Sequence, residues 1–157
     1  MSYDKANYTG QELGQRKYGL ELDFEGLTTT SYEIVSKHTC AYNCHAFAMG
    51  DFDRKWGPIS HYWPKDCPRQ PPDSLPIYLR AFATRGFEPC GDGDPELGYE
   101  KIAVYANDSG PSHTAKQVPS GKWASKMGDD VDIEHDLHAL EGHYYGRIVQ
   151  FMRRPVS

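Results

Sequence analysis

One cysteine lies where a thiol could be put to chemical use. In the run Tyr42-Asn43-Cys44-His45-Ala46-Phe47-Ala48-Met49-Gly50, the residues after Cys44 are apolar and fit a short buried helix. Asn43 suits the N-cap, because its side-chain oxygen can accept an orphan N–H of the first turn. Gly50 suits the stop. A thiol at that end feels the positive pole of the helix, which favours the thiolate. The competing use of Cys44 is as a buried small hydrophobe, the commonest fate of a free cysteine. A thiol nucleophile also needs a base within hydrogen-bond reach, a group that orients the base, and donors for the oxyanion.

His113 is the base candidate. It follows the turn Asn107-Asp108-Ser109-Gly110 and opens a strand, where a side chain can reach over a sheet edge. The competing reading is a solvated strand-end histidine. Ser125, in Trp123-Ala124-Ser125, falls opposite in a hairpin register and is the candidate orienter. Asp132, Glu134 and His135 are alternatives just beyond. A slip of one residue would exchange the faces and change the choice. The candidate substrate contacts are Asn43, Trp63 and Trp123. Trp63 belongs to the aromatic loop Trp56-Gly57-Pro58 to His61-Tyr62-Trp63-Pro64, which could border a cleft or instead close over the core.

Metal chemistry is the rival. His38, Cys40, Cys44, His61 and Cys67 offer ligand types within about thirty residues, but no pair has the tight Cys-x2-Cys spacing. No metal site is expected, and no cofactor, since phosphate-loop and dinucleotide fingerprints are absent from the sequence.

The elements that must position these residues change character along the chain. Residues 1–30 read as an N-terminal arm, with Leu20, Leu22 and Phe24 alternating with Glu21, Asp23 and Glu25 like a short edge strand. Residues 31–157 read as a single domain. A short strand around Tyr32–Ile34 leads into the Cys44 helix. A second helix spans 74–85, with Pro76 in its first turn and Leu75, Leu79 and Phe82 on one face. After Phe87 the period becomes two. Strands are expected at Glu100–Ala106, Ser112–Val118, Lys122–Met127 and Tyr144–Met152, with an acidic loop and a short helix near 136–140. The expected fold is α+β: N-terminal helices, including the nucleophile helix, packed on an antiparallel sheet of four or more strands.

Composition narrows the function classes. A net charge of −5 gives nucleic-acid binding no global electrostatic support. No run reaches the length of a membrane-spanning helix, so no membrane partner is expected. Met1-Ser2-Tyr3-Asp4-Lys5 has no apolar stretch of a signal peptide, and 4 Cys in 157 residues is no disulfide scaffold. A cytoplasmic location with free thiols is the expectation, with export by a route that needs no cleaved signal still open.

An N-terminal helical half carrying a cysteine, followed by an antiparallel sheet carrying a histidine, resembles the papain-like cysteine hydrolases. Asn43-Cys44-x-Ala46-x-Ala48, Ile102-Ala103-Val104-Tyr105 and His113-Thr114-Ala115 look like the cell-wall amidase branch, NlpC/P60. The chain from residue 31 on is also similar to an uncharacterised group of small bacterial proteins that share Tyr-Asn-Cys, a Tyr-Trp-Pro loop, Trp-x-Ser-Lys and Asp-Ile-Glu-His. The first resemblance implies a thiol amidase or peptidase acting on a peptide or cell-wall-like substrate through Cys44 and His113. The alternative is a non-catalytic domain that binds a partner protein through the aromatic loop at 56–64.

Overall fold

The computed structural model describes residues 8–156. The chain is α+β, with seven strands in one antiparallel sheet. They are β1 (Glu33–Ser36), β2 (Glu88–Cys90), β3 (Tyr99–Asn107), β4 (Gly110–Gln117), β5 (Trp123–Lys126), β6 (Asp132–His135) and β7 (Arg147–Pro155). Their spatial order is β1-β6-β5-β4-β3-β7-β2. Consecutive strands β3 to β5 form the meander that the two-residue period announces, and β6 extends it. β7 returns to the far side of β3, and β1 pairs with β6.

The N-terminal segment is a correction. Where alternation suggests an extended arm, the chain forms a helix, α1 (Gly10–Asp23). Thr9 caps it by accepting from Glu12 N–H at 3.0 Å, while the Glu12 carboxylate accepts from Thr9 N–H at 2.9 Å. This reciprocal box satisfies two orphan donors of the first turn. Gly10, Gly14 and Gly19, within the helix, stand in open space. Residues 1–7 of the arm lie outside the described residues. The acidic segment is a second correction: Asp132–His135 is a strand, followed by a 3-10 turn at Leu137–Leu140.

The sheet buries both faces. Ile102 and Val104 of β3 face the short helix α2 (Cys44–Ala48) and α3 (Leu75–Ala83). Ala103 and Tyr105, one residue out of step, face α1 and the 3-10 turns. The Pro-rich loop between α2 and α3 closes over the first of these cores. Trp56 and Trp63 are buried in it, and each satisfies its indole N–H: Trp56 donates to Asp51 at 2.6 Å and Trp63 to the Pro68 carbonyl at 3.0 Å. With those bonds made, a large aromatic is worth more inside than at a cleft wall.

Gly146 fixes the loop before β7. Its φ is 71°, and a Cβ there would lie 2.0 Å from the Ala106 carbonyl oxygen. Gly146→Ala is expected to cost about 2–3 kcal/mol, from positive φ and a backbone clash together. An unchanged urea midpoint would contradict this.

Candidate functional site

Asn43 caps α2 and ties it to the aromatic loop. Its Oδ1 accepts from Ala46 N–H at 3.0 Å and from Trp56 N–H at 3.1 Å, and its Nδ2 donates to the Trp56 carbonyl at 2.7 Å. One of these bonds caps the helix that begins at Cys44, and the other two fix the loop at Trp56. The same residue that the sequence marks as a substrate contact is therefore occupied structurally.

Cys44 meets the sheet where two strands part. β4 and β5 pair only at Lys116/Ala124 and Gln117/Trp123. Toward its start β4 is left without β5, and α2 fills the space. The backbone N–H groups of Thr114, His45 and Cys44 itself lie near the Cys44 sulfur and favour its charged form. The Thr114 hydroxyl meets His45 Nδ1 at 2.8 Å. The sulfur thus lies close to the backbone of Thr114, the residue after His113.

The expectation of a resting thiolate is overturned. Burial pushes the Cys44 thiol up to about 11, outweighing the three N–H groups and nearby Lys126. The reason is the size of α2: five residues make little more than one turn, so few aligned dipoles stand against the loss of water. His113 moves the other way. Burial, with His135 and His45 nearby, holds it well below its usual value. Both shifts favour a neutral thiol and a neutral imidazole over an ion pair.

Strand alternation decides where His113 points. It pairs with Tyr105, and both rings lie on the α1 side of the sheet, 5.1 Å apart. Tyr145 stacks on the His113 ring at 4.0 Å between centroids and 7° between planes. His113 Nε2 meets Ser125 Oγ at 2.9 Å, Ser125 Oγ meets His135 Nε2 at 2.7 Å, and His135 Nδ1 meets the Asp136 carbonyl at 2.8 Å. His113 Nδ1 is buried with no hydrogen-bond partner. No hydrogen bond among the described residues joins it to the Cys44 sulfur.

The other candidates separate. Asp132 alternates onto the α2 side, where Tyr42 donates to its carboxylate at 2.7 Å and Ser36 at 2.5 Å. Burial raises its pKa. Glu134 follows Asp132 by two and is half-buried on the same side of β6. Trp63 packs edge-on against Tyr78 in the α2–α3 core, whereas Trp123 packs against Phe151 across the sheet. Both are buried, so neither offers a wall to a substrate, which corrects their assignment as contacts. His38 bonds Tyr8 at 2.5 Å. Among the described residues no three His, Cys, Asp or Glu side chains come together to hold an ion. No described helix is long and apolar enough to cross a membrane.

Sequence reasoning missed Thr114, His45 and Tyr145. The first two neighbour His113 and Cys44 in the chain, so their adjacency was a signal. Tyr145 gave none, because a loop held by Gly142 and Gly146 brings it back over β4.

A family model described as a domain of unknown function, DUF7689, matches residues 33–153. The match takes in α2, α3 and all of the sheet except the last two residues of β7, including Cys44, His113, Ser125 and His135, and leaves out α1. No curated protein and no solved structure gives a significant match. By that match over most of its length, the chain belongs to the DUF7689 family.

Proposed function

We propose that this chain is a thiol hydrolase of amide bonds in peptide-like substrates, with Cys44 as nucleophile and His113 as base, in a papain-like layout. The observation that carries the reading is the unpartnered, buried Nδ1 of His113, one residue from Thr114, whose backbone N–H lies near the Cys44 sulfur. A buried acceptor without a partner costs roughly 1–3 kcal/mol, and function is a standard reason for keeping one. In the reaction the sulfur attacks the carbonyl carbon as its proton passes to Nδ1. Backbone N–H groups at the start of α2 receive the developing charge. Nδ1 then returns the proton to the leaving amine, and water hydrolyses the thioester to release the acid and regenerate the thiol. Catalytic contacts of this kind tighten when substrate excludes water, so the open bond between sulfur and ring in the free protein is compatible with the role.

The test is covalent capture. A peptide carrying a C-terminal vinyl sulfone should modify Cys44 in preference to Cys40, Cys67 and Cys90, and His113→Ala should remove that preference. Labelling that simply follows exposure, with Cys40 first, would overturn the hydrolase reading. The binding-domain alternative would then lead. It draws on the aromatic loop at 56–64, where Ile59 is exposed by 61%.

A further inference from the structure

We propose that His135 is a positioning residue: acting through Ser125, it fixes which nitrogen of His113 carries the proton. Counting protons along the chain of contacts leads there. The Asp136 carbonyl can only accept, so His135 Nδ1, 2.8 Å away, carries a hydrogen and donates it. A neutral imidazole has one N–H, which leaves His135 Nε2 a bare acceptor. Ser125 Oγ, 2.7 Å from that nitrogen, must donate its single hydrogen there. The serine oxygen then has only lone pairs to offer His113 Nε2 at 2.9 Å, so Nε2 carries the His113 hydrogen. His113 Nδ1 is left as the lone-pair nitrogen. It is also the buried atom that has no partner.

The count holds because both rings are neutral. His113, His135 and Ser125 are each 0% exposed, so no part of the relay faces solvent. The groups around His113 are Tyr105, Tyr145, His45 and His135, none of which would hold a second proton on it. Around His135 are Asp136 and Lys122, and burial dominates both, taking it down to about 4. Running the relay backwards would require a doubly protonated His135 in that setting. Desolvation of an uncompensated charge argues against it.

The relay therefore presets the basic nitrogen, and Ser125 transmits the setting without itself orienting a charge. This inference uses the hydrolase reading only for what Nδ1 does; the tautomer itself is independent of activity. The experiment is nitrogen-15 NMR of the full chain with labelled histidine at pH 7. In the wild type, His113 should show an unprotonated Nδ1 and a protonated Nε2, and His135 the opposite pattern. In His135→Phe the serine hydrogen loses its acceptor and turns to His113 Nε2. The His113 hydrogen should then move to Nδ1, and capture of Cys44 by the vinyl sulfone peptide should slow by at least tenfold. His135→Gln supplies an acceptor oxygen and should restore both the wild-type pattern and most of the rate. A wild-type His113 protonated at Nδ1 overturns the proposal without any variant. So does a folded His135→Phe protein whose His113 keeps its hydrogen on Nε2. Correct tautomers with no selective capture at Cys44 would support the relay and sink only the hydrolase reading.

Discussion

Lowering the pH from 7 to 5 should destabilise the fold by roughly 4 kcal/mol through His45 and His135 alone. Burial takes each of them down to about 4 in the folded state, while an unfolded histidine titrates near 6.5. Below 6.5 the unfolded chain therefore binds protons that the folded chain refuses. The stability these residues contribute is complete above about 6.5, falls as the pH drops, and levels off only near 4. At pH 5 the loss is about 2 kcal/mol for each. His113 acts in the same direction. Asp132, whose pKa burial raises, acts in the opposite direction and offsets part of the loss at the acid end. Against a total stability of about 5–15 kcal/mol for a typical domain, the effect is large. Urea midpoints at the two pH values would measure it. His135→Gln should flatten the dependence by about half of the two-histidine effect. Identical midpoints at pH 7 and 5 in the wild type would show that these rings are not desolvated in the fold.

The same burial explains what the sequence could and could not disclose. α3 was legible because Pro76, the apolar positions and Gly86 all point to one helix, and Ile77, Tyr78, Ala81 and Phe82 are the residues it buries. The meander was legible because turn residues separate segments of period two. The register that forms pairs Lys116 with Ala124 and Gln117 with Trp123, so Ser125 is not directly opposite His113; the two meet at 2.9 Å on a diagonal because both fall on the same face. α1 was not legible. Its periodicity is weak, and Leu20 is its one buried residue, with Leu22 exposed by 67%. A capping box three residues wide outweighs an alternation that continues for only six. Nor could the parity of β4 be read. Whether His113 or Thr114 faces α2 depends on one residue of register, and the sequence of the strand is compatible with either face. The consequence reaches the chemistry: Thr114 faces α2 and engages His45, while His113 faces the other side of the sheet and engages Ser125. The two tryptophans of the aromatic loop carry the same lesson. Their hydrogen-bond partners, Asp51 and the Pro68 carbonyl, lie five residues away in each case, a distance at which the sequence shows the residues but not the turn that joins them.

Iodoacetamide, a reagent too small to bring binding energy of its own, should find Cys44 slow to react. With its thiol up at about 11, about one molecule in ten thousand carries the thiolate at pH 7, against about 3% for an ordinary thiol at 8.5. The more basic thiolate is intrinsically more nucleophilic by roughly tenfold, which leaves a net deficit of about thirtyfold relative to an ordinary exposed thiol. The rate at Cys44 should climb tenfold per pH unit and level off only near 11. An unfolded chain would release the thiol proton earlier than the folded chain, so stability should also decline as the pH rises from about 8.5 toward 11. His113→Ala provides the discriminating arm. Removing the ring stacked on Tyr145 admits water beside the sulfur, relieves the desolvation, and should make Cys44 react faster at pH 7. A thiolate–imidazolium pair predicts the reverse: fast reaction near pH 6 in the wild type and a slower one without His113. The neutral resting state also fits the proposed chemistry. Two unit charges about 4 Å apart attract by about 4 kcal/mol at an effective dielectric of 20, equivalent to about three pKa units. That attraction acts once the proton has moved from sulfur to Nδ1. A substrate that closes the gap between thiol and ring and excludes water would therefore help create the ion pair that the free protein does not hold.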